Sequence, residues 1–494
     1  MKNKWIKLLN RPCFLAFQVE VATCNRDILP KIIGCQTKNF WANSITHGVY
    51  YVEHDLKIMA DTIAKRIQKD PDFTKHNIDN CYKLGKILLS KINVLNPAQV
   101  SQKKLLEKLI SFRKAYLNFF QYVVYPHSIE RFFLTKIREE LTKNLKVVNQ
   151  ENRLDKSLKI LTTPIIFDSD QQLVLLNTAN LVRNNGWTKK TNELTKKIHE
   201  KYTWMTLWDI SAKPLSLQYF HDAIDAIASS HNTINIIKEI KQIKKQQNIQ
   251  KSVLNKELRK INATRLLRDY VNILQTYMFL RTYRKNIISK AHYLLLPLIY
   301  EIGNRMKIGK DIIFISYEEM IDFLKNNKSF PESILNKRKK AWAVTCINGN
   351  IQIIAGKKEI QKAIDKYEID EKLIQIKITK VFSVIGNPAC QGKISGHVKI
   401  VKNVDELYKI KQGDVIITSM TTPDYMPIFR KLGGIVTDDG GITCHAAIIS
   451  REFNIPCIVG TGNATQVFKD NDLVEVDAYK GKVKLLDRLP YSVL

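Results

Sequence analysis

Glycine is distributed very unevenly along this chain of 494 residues. Eight glycines fall in the first 385 residues and eleven in the last 109. Glycine permits tight turns and close backbone approaches, and it weakens helices. The glycine-poor segments 56–67, 105–116 and 266–277 carry apolar residues three and four positions apart, which predicts amphipathic helices. The distribution therefore predicts a large, mainly helical N-terminal part and a small, turn-rich C-terminal part.

The C-terminal part alternates short apolar runs with short helical patterns, which is typical of a compact α/β domain. These runs lie at 399–401, 415–418, 434–437, 457–459, 474–476 and 482–484. Upstream, two β-like runs flank Asn348 and Gly349, which is a hairpin signal, and a helical pattern covers 358–367. We therefore predict a helical domain over 1–340, a connector of hairpin, helix and linker over 341–385, and an α/β domain over 386–494.

Positive charge is concentrated in the predicted helical part. The chain has a net charge of +31, and the last 109 residues carry 13 Lys/Arg against 12 Asp/Glu, so the first 385 residues hold a net +30. A basic amphipathic helix is predicted at 236–262. This charge indicates either a surface for an anionic partner or lysines that cover solvated helix faces. Because no RNA- or DNA-binding motif accompanies it, the sequence argues against nucleic acid as the partner.

The eight cysteines are scattered and include no C-x-x-C pair, which supports neither a zinc site nor a disulfide framework. Reduced thiols in the cytoplasm are the simplest explanation. The apolar run near the N-terminus has fewer than ten residues, and the run 293–300 is also too short to cross a bilayer. We therefore expect a cytoplasmic protein without a membrane span or a metal-ligand cluster.

One histidine stands where a glycine-rich turn becomes a helix. His445 follows the apolar strand 434–437 and the pair Gly440-Gly441, and a helical pattern continues from it to Glu452. Unpaired N–H groups at a helix start favour an anion, and glycines let the backbone approach phosphoryl oxygens. A neutral imidazole is a good nucleophile near pH 7. These features predict that His445 carries a phosphoryl group, with Thr443 as a hydroxyl donor beside it.

The C-terminal segment resembles the mobile phosphohistidine domain, or swivelling domain, of the enzymes that use or make phosphoenolpyruvate (PEP). This family includes PEP synthase, pyruvate phosphate dikinase and rifampicin phosphotransferase. The matching segments, in order, are 386–396 (GNPACQGKISG), 413–416 (GDVI), 421–424 (TTPD), 435–447 (IVTDDGGITCHAA) and 450–460 (SREFNIPCIVG). The resemblance places the phosphorylated histidine of the family at His445, and it places Thr421 and Thr422 in a loop beside it.

Arg451 lies six residues after His445, so on a straight helix it faces away from the imidazole. It is either a phosphate-binding residue or the partner of Asp438 or Glu452 in a salt bridge. His397 lies on a predicted strand and is interpreted as structural.

A weaker resemblance covers residues 270–330, which are similar to the acceptor-substrate domain that precedes the mobile domain in rifampicin-phosphotransferase-like proteins. Ser316 and Glu319 there match a helix start of the capping-box type. The resemblance implies a pocket for a small-molecule phosphoryl acceptor. Its candidate residues are Arg281, Arg284, His292 and Glu301.

No segment resembles the ATP-grasp nucleotide domain of the family, and neither G-x-x-x-x-G-K-[ST] nor G-x-G-x-x-G occurs in the first 385 residues. The resemblance therefore implies a phosphotransferase subunit that is charged by a separate ATP-grasp protein, from the β-phosphate of ATP with AMP as product. Mg²⁺ is expected with ATP on that partner. Two alternatives are a carrier that takes its phosphate from PEP and a non-catalytic, basic binding protein that keeps the fold.

Overall fold

The computed structural model describes residues 4–10, 14–35, 37–45, 48–70, 72–92, 96–124, 126–144, 151–163, 170–207, 213–230, 233–369, 383–402, 404–421, 423–440 and 444–487. The chain divides into two compact units, each built from three segments. The first unit comprises Met1–Phe167, Trp204–Pro214 and Asn248–Ile374. The second comprises Asp168–Thr203, Leu215–Gln247 and Gln375–Leu494.

Helices dominate the chain before residue 367, and short helices recur in the C-terminal domain. The α-helices are α1 (Leu15–Thr23), α2 (Leu29–Ile33), α3 (Glu53–Lys69), α4 (Phe73–Ser90), α5 (Gln102–Val124), α6 (Pro126–Asn144), α7 (Glu151–Leu161), α8 (Asp170–Asn185), α9 (Lys189–Tyr202), α10 (Leu217–Ser230), α11 (Thr233–Lys260), α12 (Arg265–Arg305), α13 (Tyr317–Asn326), α14 (Glu332–Lys340), α15 (Lys357–Lys366), α16 (His445–Phe453) and α17 (Ala464–Val467). A π-helical turn covers Cys24–Ile28, and 3₁₀ segments cover Pro97–Gln99, Thr203–Thr206, Gly309–Phe314, Val404–Lys409 and Pro423–Lys431.

The strands form two sheets. They are β1 (Trp5–Asn10), β2 (Phe40–Asn43), β3 (Gly48–Val52), β4 (Trp342–Ile347), β5 (Asn350–Ala355), β6 (Ser383–Ile385), β7 (Asn387–Cys390), β8 (Lys393–Ile400), β9 (Val415–Thr418), β10 (Gly434–Thr437), β11 (Cys457–Val459), β12 (Leu473–Asp477) and β13 (Lys482–Asp487). These elements confirm the predicted fold class, a large mainly helical part followed by a small α/β domain.

The first unit contains a five-stranded sheet of order β1-β3-β2-β4-β5. The predicted hairpin forms as β4 and β5, with positive φ at Asn348 and Gly349 in the turn. Its strand β4 pairs with β2, so the hairpin completes the N-terminal sheet instead of standing in a separate connector. The mainly helical N-terminal part also contains the strands β2 and β3, which are short and fully buried and therefore show no alternation of apolar and polar residues in the sequence.

Side-chain caps mark the starts of α12 and α13 in the first unit. The side chain of Thr264 accepts a hydrogen bond from the backbone N–H of Leu267 and begins the 41-residue helix α12. Ser316 and Glu319 form the predicted capping box, which is confirmed by bonds of 3.2 Å from Glu319 N–H to Ser316 Oγ and 2.9 Å from Ser316 N–H to Glu319 Oε2. The helices pack around one large apolar core that includes Phe112, Tyr116 and Tyr317.

In the second unit, helices α8, α9 and α10 group with the C-terminal domain, whose sheet has eight strands. The order is β6-β13-β12-β8-β9-β10-β11-β7. Strands β8, β9, β10 and β11 run parallel, and β7 is an antiparallel edge strand next to β11. One apolar cluster fills each side of this sheet, and helix α16 belongs to the cluster that contains Phe429 and Ile435. Helices in the described part of the chain lack the combined length and hydropathy that a bilayer crossing requires.

Candidate active site

The candidate site lies at the carboxyl ends of β9 and β10, which are parallel neighbours. Thr437 at the end of β10 is opposite Thr418 at the end of β9. The loop after β9 carries Thr421, and the loop after β10 leads to His445. Because adjacent parallel strands end at the same edge of a sheet, the two loops meet there, which is the usual ligand-binding edge of an open α/β sheet.

Backbone and side-chain bonds hold the two loops together. The N–H groups of Asp438 and Asp439 donate to the carbonyl oxygens of Thr418 and Ser419, at 3.1 and 2.9 Å. The hydroxyl of Thr437 donates to the carbonyl of Asp439 at 2.7 Å. These bonds fix the loop after β10 relative to the loop after β9.

Gly440 is constrained by its conformation and by its neighbours. Its φ is +113°, a value that side chains rarely adopt, and an added Cβ would lie 2.8 Å from the sulfur of Cys444. Cys444 is the N-cap residue of α16. The predicted glycine is therefore required for the chain to turn from β10 into α16.

His445 is the first residue of α16 and is half-buried. Its Nδ1 lies 2.9 Å from the hydroxyl oxygen of Thr421. The ring also packs against Phe429, with ring centroids 5.9 Å apart. A hydrogen bond at one imidazole nitrogen orients the ring. The Thr421 hydroxyl can donate to Nδ1 or accept from it, and in either case it positions the imidazole at the start of α16.

Asp438 is a buried residue that the sequence interpretation gave no role in catalysis. Its carboxylate accepts hydrogen bonds from the N–H and hydroxyl of Thr465 and from the hydroxyl of Thr461. It thus ties the end of β10 to the start of α17. The position of an aspartate directly after a buried strand is the signal that could have identified it.

Arg451 faces the edge strand β7. Its Nε donates to the carbonyl oxygen of Ala389 at 2.9 Å, and burial lowers the pKa of its guanidinium. Both alternatives for Arg451, phosphate binding or a salt bridge with Asp438 or Glu452, stay predictions. Gly441, Thr443 and Thr422, also predicted at this site, lie outside the described residues.

The four candidate acceptor-site residues all lie on α12, in the first unit. Arg281 pairs with Glu130 at 3.2 Å, and Glu301 pairs with Arg305 at 2.8 Å. Arg284 is buried and donates to the carbonyl of Tyr122.

His292 is fully buried, with Nδ1 2.9 Å from the carbonyl oxygen of Leu207 and Nε2 2.7 Å from the hydroxyl of Tyr116. These four side chains therefore all have partners within the protein, and an acceptor site at α12 stays a prediction. Across the described ranges, no group of three or more His, Cys, Asp or Glu side chains could hold a metal ion.

Comparison with known proteins connects this geometry to a family. Residues 410–481 match the family described as PEP-utilising enzyme, mobile domain. A probable PEP synthase of Methanothermobacter thermautotrophicus is 42% identical over 144 residues, which cover 29% of this chain and 20% of that protein.

The PEP synthase of Aeropyrum pernix is 50% identical over 101 residues, which cover 20% of this chain and 12% of that protein. The PEP synthase of Escherichia coli is 29% identical over 214 residues, which cover 40% of this chain and 25% of that protein. Among solved structures, the aconitase X of Thermococcus kodakaraensis matches with a TM-score of 0.18 and 16% identity, over 21% of this chain and 98% of that one, and no conclusion is drawn from so low a score.

The matched segments span about a quarter or less of the length of these relatives. The family match covers β9, β10, the loop with Thr421 and the helix that begins at His445. Residues 410–481 are therefore similar to the mobile domain of the PEP-utilising enzymes.

Proposed function

We propose that this chain is the phosphohistidine-carrying part of a split phosphotransferase. In this proposal, His445 receives a phosphoryl group from ATP bound by a separate ATP-grasp protein and passes it to a small-molecule acceptor held by the helical part. The observation that carries the proposal is the 2.9 Å contact between Thr421 Oγ1 and His445 Nδ1 at the start of α16. It orients a nucleophilic nitrogen at a site where helix N–H groups favour an anion.

The residues at the site suggest how the transfer would proceed. Nε2 of the neutral imidazole attacks the β-phosphorus of ATP, the P–N bond forms, and the bond from that phosphorus to the α,β-bridging oxygen breaks to release AMP. Nδ1 keeps its proton, and its N–H group donates a hydrogen bond to Thr421 Oγ1. This bond stabilises the positive charge that develops on the ring. Water then removes the γ-phosphate as inorganic phosphate and leaves a single phosphoryl group on His445.

The donor and acceptor follow from the resemblance and not from a site in this chain. Mg²⁺ would accompany ATP on the partner and neutralise its phosphates. The acceptor would be bound at α12, which carries Arg281, Arg284, His292 and Glu301, where basic side chains can compensate acceptor or phosphate charge. The net +30 of the first 385 residues supports an anionic ligand or partner for that part.

The proposal is tested with three phosphoryl donors on the purified full chain. The first is [β-³²P]ATP with Mg²⁺ and an ATP-grasp protein, the second is [³²P]PEP, and the third is phosphoramidate, which phosphorylates histidine without a partner. We expect acid-labile, alkali-stable label on His445 from phosphoramidate, and from ATP only when the ATP-grasp protein is present. Labelling by PEP alone would contradict the ATP route, and a folded chain that is inert to all three donors would contradict the carrier function.

Thr421 provides a sharper test of the site. Thr421→Val keeps the shape of the side chain and removes the oxygen that binds Nδ1. We expect phosphoramidate to label His445 about five- to tenfold more slowly, because a neutral hydrogen bond contributes about 1 kcal/mol. Nitrogen-15 NMR of the imidazole should show mixed tautomers in this variant. Thr421→Ser, which keeps the hydroxyl, should stay within about twofold of wild type, and equal rates for the valine and serine variants would exclude the positioning role.

A further inference from the structure

Two cysteines lie directly opposite each other across the edge of the C-terminal sheet. Cys390 ends the edge strand β7, and its register partner on the antiparallel strand β11 is Cys457. Cys457 is fully buried and Cys390 is 7% exposed, and both belong to the apolar cluster beneath α16. Directly opposed residues on antiparallel strands point to the same face, with Cβ atoms roughly 4.5–5.5 Å apart.

That spacing is close to the one a disulfide requires. A disulfide joins Cβ atoms about 3.5–4.5 Å apart, so the strands would have to approach by roughly 1 Å. The register shift between Cys457 and Ile458 leaves Ala389 unopposed, and such a bulge at a sheet edge permits local adjustment. Arg451 contacts the strand at this bulge, because its Nε donates to the carbonyl oxygen of Ala389 at 2.9 Å.

A third cysteine is nearby but is placed differently. Cys444 is the N-cap of α16 and packs against Gly440, outside the strand pair. The guanidinium of Arg451 lies near the thiols of Cys390, Cys444 and Cys457. Cys444 is therefore close to the pair but lacks its cross-strand register, which makes it a matched control.

We propose that Cys390 and Cys457 are an oxidation site that closes to a cross-strand disulfide under peroxide. The Cys390 thiolate, at the edge of the sheet, attacks hydrogen peroxide, so an S–O bond forms, the O–O bond breaks and water leaves after protonation. Cys457 then attacks the sulfenic sulfur, the S–S bond forms, and the oxygen leaves as a second water. Two thiols are oxidised and one peroxide is reduced to two waters, which balances the step.

The disulfide would act directly beneath the phosphohistidine helix. The thiol of Cys457 now donates towards the carbonyl of Ala446 at 3.9 Å, one residue after His445. Helix α16 also rests on β7 through Arg451. Oxidation would replace the thiol contact with a covalent bond between β7 and β11. The two strands that contact α16 would then be held together.

Peptide mapping of the full chain tests the proposal without any measurement of phosphorylation. Trypsin places the three cysteines in separate peptides, 381–393, 432–451 and 452–469. The protein is treated with hydrogen peroxide, alkylated without reduction, digested and analysed by mass spectrometry. We expect peptides 381–393 and 452–469 to be joined, two hydrogens lighter than their sum, and to separate after dithiothreitol.

Variants and a denatured sample make the result decisive. The Cys444→Ser variant should form the link as wild type does, and Cys390→Ser should lose it. Protein that is oxidised in guanidinium chloride should lose the preference for this pair. A main product that joins 432–451 to 452–469, or sulfonic acid on Cys390 without any link in folded protein, would overturn the proposal.

Discussion

Replacing His445 with alanine is expected to abolish phosphorylation of the chain. Without the imidazole, the start of α16 loses the nitrogen that would form the P–N bond, and the glycine turn and helix N-terminus can then bind an anion but cannot form that bond. We expect labelling by phosphoramidate, or by ATP with an ATP-grasp protein, to fall below about one thousandth of wild type. The measurement is the acid-labile, alkali-stable label per chain.

A second histidine in the same domain provides the control. His397 lies on β8, is exposed, and has Nδ1 3.3 Å from the carbonyl oxygen of Asn471. His397→Ala should label as wild type does. If both variants keep the label, the phosphoryl group is carried elsewhere, and the assignment of the C-terminal domain as the carrier fails.

The second large effect concerns a buried carboxyl group in the first unit. Glu20 lies on α1 with no exposed surface, and its Oε1 accepts from Arg113 Nε at 2.7 Å. Arg113 also binds the half-exposed Glu318 at 2.8 Å, so its charge is shared. Oε2 of Glu20 is buried without a hydrogen-bond partner among the described residues. Burial therefore outweighs the pairing with Arg113 and raises the pKa of Glu20 to about 7.

This pKa predicts that the first unit loses stability as pH rises. The ordinary pKa of the carboxyl is 4.5, so folding keeps the proton that the unfolded chain releases. The stabilisation is complete below about pH 4.5 and is lost as pH rises through 7. The pKa shift from 4.5 to about 7 corresponds to about 3 kcal/mol in the free energy of unfolding. We expect urea unfolding at pH 5 to 8, followed by tryptophan fluorescence, to show this slope in wild type and not in Glu20→Gln.

The probe and the control are both specific to this region. Trp5, Trp41, Trp204 and Trp342 lie in the first unit, so fluorescence reports mainly on it. Glu318→Gln removes the exposed partner of the same arginine and should keep the slope. The groups that act on Glu20 are Arg113, Glu318 and Asp27. Equal slopes for wild type and Glu20→Gln would show that this carboxyl does not titrate near neutral pH.

The C-terminal domain could be predicted from the sequence because its signals are local. Each predicted strand between 399 and 484 forms, since short β-branched runs bounded by glycine or polar turns carry their own information. His445 was found the same way, from a glycine turn between a strand and a helix. The contact with Thr421, 24 residues away, needed the family resemblance, because it depends on the parallel pairing of β9 and β10.

The N-terminal sheet could not be predicted because its pairing is non-local. Strand β2 is four residues long and buried at every position, so it carries no period that would separate it from a buried helix turn. Its partner β4 lies about 300 residues later, as Phe40 opposite Cys346 shows. Likewise, no local sequence signal indicated that residues 168–203 and 215–247 group with the C-terminal domain.

The late position of β4 has a consequence for synthesis of the chain. Until residue 347 has left the ribosome, β2 has no neighbour on one side, and its backbone N–H and C=O groups stay open for pairing with another chain. At roughly 5–20 residues per second, the interval between the two strands lasts about 15 to 60 s. Phe40 and Trp41, fully buried in the finished sheet, lack their final cover for that time. The sheet of the first unit is thus completed only after most of the chain has been translated.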